Sequence, residues 1–178
     1  GTTTSDGDLY TIMVDEYGHE LLSKISGDDT TGGANGNGYN KLADLDGDGR
    51  YEIITTIGHR APYYPGDTQI RILELDGTVR YQISMGDNKL PGILISDLDG
   101  DGLKEIVAWS LTDASLQIYD HQLNLITMKT GLGGNLFYGF VAADIDGDKK
   151  KEILVRDNQL LQVYSSEDLA LKWEYDLG

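Results

Sequence analysis

The chain is expected to be all-β: a β-propeller of four-stranded antiparallel blades, with about three and a half blades in 178 residues. Three observations carry this expectation. An acidic, glycine-containing segment occurs three times, its copies 53 and 47 residues apart, which is blade spacing. Each copy lies between short, mostly β-branched apolar runs of the kind that form buried strands. No stretch shows the 3.6-residue apolar period of an amphipathic helix.

The elements follow in order along a single partial propeller, residues 1–178. Residues 8–27 read as a half blade: Leu9 to Val14, a turn at Tyr17-Gly18, then Glu20 to Ile25. Asp6-Gly7-Asp8 reads as a simple turn, because Thr4 and Ile12 stand where the repeat has acids. Three full blades are expected at 39–87, 92–131 and 138–178. Their first strands are Tyr39 to Ala43, Gly92 to Ser96 and Tyr138 to Ala143. The second strands include Ile53-Ile54-Thr55, Ile106-Val107-Ala108 and Ile153-Leu154-Val155. Alternating third strands run over Gln69 to Leu75, Leu116 to Tyr119 and Leu160 to Tyr164. Polar turns then lead into fourth strands at Val79 to Met85, Leu123 to Lys129 and Ala170 to Tyr175.

Composition narrows the function. There are 30 Asp+Glu against 14 Lys+Arg, a formal charge of −16, which opposes binding to nucleic acid and to anionic membrane surfaces. No apolar run is long enough for membrane insertion as a helix. With no cysteine, disulfides, zinc–thiolate sites and thiol catalysis are not expected. The chain begins Gly-Thr-Thr-Thr-Ser without Met and is expected to be processed or excised.

The acids are concentrated in the repeat. Each copy, numbered from its first Asp, carries carboxylates at positions 1, 3, 5 and 9 and glycine at position 4. The sets are Asp44, Asp46, Asp48 and Glu52; Asp97, Asp99, Asp101 and Glu105; Asp144, Asp146, Asp148 and Glu152. Four carboxylates converging on one point repel one another unless a cation joins them. An all-oxygen, irregular donor set suits Ca²⁺, to which position 7 (Arg50, Leu103, Lys150) can add a backbone carbonyl. Three Ca²⁺ sites are therefore expected, with a structural rather than catalytic role. The loop is not an EF-hand: position 12 is Thr55, Ala108 or Val155 instead of Glu, and its flanks are strands. The third loop has Lys149 at position 6, where a positive φ is expected, and is predicted to hold its ion least well.

Asp-x-Asp-Gly-Asp-Gly-x-x-Glu-Ile between two short strands resembles the FG-GAP, or VCBS-type, repeat. That repeat builds integrin α-subunit propellers, bacterial surface and adhesion proteins, some lectins and rhamnogalacturonan-lyase-type propellers. The resemblance covers residues 39–178 as full blades and 8–27 as a half blade. It implies that the loop joins the first two strands of a blade and binds Ca²⁺ through the residues named above. The Phe-Gly/Gly-Ala-Pro signature is echoed only by Tyr138-Gly139-Phe140.

Ligand contacts are expected elsewhere. Gly58 to Asp67 contains His59, Arg60, Tyr63 and Tyr64, whose flat rings and donors suit a sugar or a protein partner. Thr56, Trp109 and Arg156 are equivalent positions at the ends of second strands; Trp109 and Arg156 are the candidates there. Gly27 to Gly38 lacks the strand–turn–helix context of a phosphate loop. No hydrolase, zinc-protease or Walker motif occurs, so enzymatic activity is not the favoured expectation. The favoured expectation is an extracellular or cell-surface calcium module for adhesion or glycan/protein recognition. The alternatives are a propeller fragment of a polysaccharide lyase and a structural subunit completed by another chain or a homo-oligomer.

Overall fold

The structure, a computed structural model, describes residues 40–57, 68–86, 92–110, 114–132, 140–157 and 159–178, and the backbone of four short strands nearer the N-terminus. The described residues contain strands and turns and no helix, so none crosses a membrane as a helix. The chain divides into two units: Gly1–Ala43 with Tyr51–Leu90, and Asp44–Arg50 with Pro91–Gly178.

In the first unit, β1 (Thr2–Thr3) pairs with β2 (Leu9–Tyr10), and β3 (Met13–Val14) with β4 (Glu20–Leu22). The run expected as one strand over 9–14 thus serves two hairpins. The run contains no glycine, proline or polar turn residue, so nothing in it marks where the partner changes. The first full sheet is β5 (Asn40–Ala43), β6 (Glu52–Ile57), β7 (Gln69–Leu73) and β8 (Val79–Ser84), paired antiparallel in chain order. Ile53, Ile54, Ile70 and Ile72 are buried in it.

The second unit holds two more sheets with the same order. The middle sheet is β9 (Gly92–Ser96), β10 (Glu105–Ser110), β11 (Ser115–Tyr119) and β12 (Leu125–Lys129). The third is β13 (Phe140–Ala143), β14 (Glu152–Asp157), β15 (Leu160–Tyr164) and β16 (Leu171–Asp176). Burial is deepest in the second and third strands and least in the fourth. All residues of β10 and β11 are buried, whereas all of β16 are exposed. That gradient explains why second strands read as continuous apolar runs and fourth strands as mixed ones. One core joins the middle and third sheets: Leu98, Val107, Trp109, Leu116 and Ile118 pack with Ile153, Val155, Tyr164 and Leu169.

Two irregularities recur. Each turn between third and fourth strands has a residue at positive φ: Gly77 (85°), Leu123 (65°) and Leu169 (55°). The two leucines are buried at 5% and 0% exposure, and their packing offsets a conformation that side chains disfavour. Each fourth strand also carries a β-bulge just after its first residue, so that Arg80, Ile126 and Lys172 are the extra residues. A bulge bends its strand and re-aims a side chain.

Candidate metal centre

The three acidic segments connect first and second strands as tight loops. Their backbone conformation requires positive φ at position 4 (Gly47, Gly100, Gly147) and at position 6 (Gly49, Gly102 and Lys149, at 87°, 94° and 76°). Lys149 therefore occupies the conformation for which glycine is suited.

This winding turns the amides toward the acids. Position 1 accepts from the N–H of position 6: Gly49 to Asp44 at 3.1 Å, Gly102 to Asp97 at 3.2 Å, Lys149 to Asp144 at 3.0 Å. Asp97 and Asp144 also accept from Gly100 and Gly147, both at 2.7 Å. Position 5 accepts from the N–H of position 7: Arg50 to Asp48 at 2.8 Å, Leu103 to Asp101 at 2.7 Å, Lys150 to Asp148 at 2.8 Å. The amides pre-organise each carboxylate while leaving further oxygen lone pairs for a cation.

Three groups of acids converge, with ligand atoms within 4.8 Å of one another: Asp44, Asp46 and Asp48; Asp97, Asp99 and Asp101; Asp144, Asp146 and Glu152. These clusters can hold a metal ion. The first two gather positions 1, 3 and 5, the third positions 1, 3 and 9. Every donor is an oxygen, which fits a hard cation such as Ca²⁺. A specific mark of that fit lies in the first loop, where Asp44 Oδ1 is buried with no hydrogen-bond partner. A cation held by Asp44, Asp46 and Asp48 would neutralise it and fix the loop.

Position 9 has a second task. Glu105 Oε2 accepts from the Leu98 N–H at 2.7 Å, and Glu152 Oε2 from the Ile145 N–H at 3.0 Å, so this buried Glu closes its own loop at position 2. Burial pushes the Glu105 carboxyl up from its ordinary value; repulsion from Asp99, Asp101 and Asp97 adds to this against the Leu98 hydrogen bond.

The position-8 residues, which the sequence reading missed, staple successive loops. Lys104 N–H donates to the Leu45 carbonyl at 2.9 Å, and Lys151 N–H to the Leu98 carbonyl at 2.8 Å. Their side chains reach back too, Lys104 Nζ to the Asp44 carbonyl and Lys151 Nζ to Ser96 Oγ. The bulge cations were also missed. Lys172 Nζ bonds Asp146 Oδ2 at 2.8 Å and Glu152 Oε1 at 2.5 Å, raising its own pKa and lowering that of Asp146. In the first unit Arg80 Nη1 lies 3.4 Å from Glu52 Oε1. These pairs are 26, 20 and 28 residues apart, so the repeat period hides them; the signal is a cation between an apolar and an aromatic residue, Val79-Arg80-Tyr81 and Leu171-Lys172-Trp173.

Among the expected ligand contacts, Trp109 is 3% exposed and lies in the core, whereas Arg156 is exposed. His59, Arg60, Tyr63 and Tyr64, like the Gly27–Gly38 segment, lie outside the described residues. A cleft of about 490 Å³ runs beside the middle loop, lined by Asp99, Asp101 and Glu105 with Ile118, Ile126, Lys150 and Glu167.

Comparison with known proteins agrees with this construction. Residues 97–155, from the middle loop through the second strand of the third sheet, match the family described as an FG-GAP-like repeat. The chain is 36% identical over 76 residues to the rhamnogalacturonan endolyase YesW of Bacillus subtilis (strain 168), and equally to the rhamnogalacturonan exolyase YesX of the same organism. Each match covers 36% of this chain and 12% of the relative, so the chain spans a small part of the curated relatives' length. In fold it resembles a Bacteroides caccae protein of unknown function, known from a crystal structure, with a TM-score of 0.50 and 12% identity over 94% of this chain and 54% of that one.

Proposed function

We propose that this chain is a calcium-binding segment of a β-propeller, its three four-stranded sheets serving as blades, in an extracellular or surface protein that mediates adhesion or glycan/protein recognition. The observation that carries the reading is the convergence of acids in three equivalent loops, with the orphaned Asp44 Oδ1 in one of them. Ca²⁺ would be held by positions 1, 3, 5 and 9 and the carbonyl of position 7, three ions in all, and would join the first two strands of each blade. Its role is structural: the carboxylates leave few positions for a substrate. Calcium modules outside cells bind at roughly 10⁻⁴ to 10⁻³ M, so such sites fill in extracellular fluid and stay empty in cytosol. Calorimetric titration with CaCl₂ tests this reading. Binding of about three ions, abolished by combined Asp→Asn changes at position 1 of every loop, is expected; no heat of binding up to roughly 10 mM, ten times the weakest such affinity, would reject it.

The similarity to two rhamnogalacturonan lyases favours a second reading, a propeller fragment of a polysaccharide lyase. Binding of pectic oligosaccharides without ultraviolet-absorbing unsaturated products supports recognition; release of such products supports a lyase. A third element is a partner that completes the propeller, either another chain or a second copy. Exposed Trp173 and Tyr175 on β16 support it, and light scattering reads it directly.

A further inference from the structure

The three bulge residues do different things in otherwise equivalent places. Lys172 reaches from the outer strand of the third sheet onto two acids of its loop, Asp146 and the 2%-exposed Glu152. Arg80 reaches Glu52 in the same manner within the first unit. In the middle sheet the bulge residue is Ile126, and among the described residues no cation pairs with Glu105. Ile126 instead forms part of the wall of the cleft that opens on Asp99, Asp101 and Glu105. Lys150 lines the same cleft, but its ammonium is paired with Glu167.

An ammonium on a tether and a metal ion compete for the same carboxylate oxygens. An ion entering the third loop must displace Lys172 from Asp146 and Glu152 or share those oxygens with it. An ion entering the middle loop meets no ammonium bonded to its acids among the described residues and relieves repulsion among four acids. We infer that the bulge residue sets the metal dependence of each loop: Lys172 is a built-in counter-ion that lets the third loop fold without metal and weakens its calcium affinity, whereas Ile126 leaves the middle loop dependent on an external ion. This rests on the calcium reading above, and concerns how that calcium is distributed.

The test follows the backbone amides of Gly100 and Gly147 by NMR during calcium titration of the whole chain. These amides hydrogen-bond position 1 of the middle and third loops and report each loop separately. In the wild type, Gly100 should reach its midpoint at lower calcium than Gly147. Lys149 adds to that gap, so the decisive comparison is between variants. Lys172→Met should lower the Gly147 midpoint about tenfold and leave Gly100 in place, while Ile126→Lys should raise the Gly100 midpoint about tenfold. If both loops respond to calcium and neither variant moves its midpoint, the counter-ion inference is overturned and the calcium reading stands. If neither loop of the wild type responds, the calcium reading fails for both; a response at Gly147 in Lys172→Met would still support the counter-ion, and its absence there would overturn it. Ile126→Lys keeps the test decisive if Lys172→Met does not fold.

Discussion

Position 6 of the loops shows how one residue carries both strain and affinity. Lys149 is exposed and held at a φ of 76°, where its equivalents are glycines. Lys149→Gly is therefore expected to stabilise the protein by about 1 kcal/mol, since a side chain in the left-handed region costs roughly that much. Urea denaturation in EDTA checks this; an unchanged or lower midpoint would show that the loop tolerates lysine without strain. The exceptional character of this position was legible in the sequence, because two aligned glycines announced the conformation. The depth of Trp109 was not. Its register with Thr56 and Arg156 could be counted along the chain, but it is buried in a core that another sheet helps to build, with Ile153, Val155 and Tyr164 among its members.

The strands of the three four-stranded sheets were legible in number, order and nearly in extent, because apolar runs and polar turns alternate on the blade period. The bulges were not. A bulge depends on two residues opposing one across the ladder, which a single strand cannot reveal. The turns between strands combine local and distant terms. Asp120 accepts from the backbone N–H groups of Gln122 and Asn124 and from the Asn124 side chain. Burial alone would raise its pKa, but these hydrogen bonds outweigh burial and bring it below 3.8. A depressed carboxylate stabilises the fold above its ordinary pKa and loses that contribution as pH falls through the folded value. Asp120→Asn should accordingly be destabilised at pH 7, with the deficit shrinking below pH 3.8; denaturation at several pH values measures it, and a pH-independent deficit contradicts the assignment. Between sheets, a Cβ on Gly92 would lie 3.3 Å from Phe140 Cε1. Gly92→Ala should cost about 1 kcal/mol by displacing that ring, and Gly92→Val more. Paired melting curves would show it, and equal stability of all three would mean the ring moves aside freely.

Over the whole molecule, a charge of −16 is unevenly distributed: twelve of the 30 acids lie in three loops. Self-repulsion in the metal-free protein is thus local and open to screening. Raising NaCl from about 10 to 150 mM, which shortens the Debye length from about 30 to 8 Å, should raise the melting temperature in EDTA more than in calcium. Equal salt responses in the two conditions would place the repulsion elsewhere. The stapling of the loops bears on how this chain could be shortened or lengthened. Asp44–Arg50 groups with the second unit even though it connects two strands of the first sheet, and Lys104 and Lys151 perform the same act one repeat apart. The interchangeable module therefore begins at an aspartate and ends just before the next, cutting through each sheet after its first strand. Excising residues 97–143 would join Ser96 to Asp144 and present Lys151 to the Leu45 carbonyl in place of Lys104. Recombination at that seam keeps every acidic loop whole and preserves the joint between successive loops.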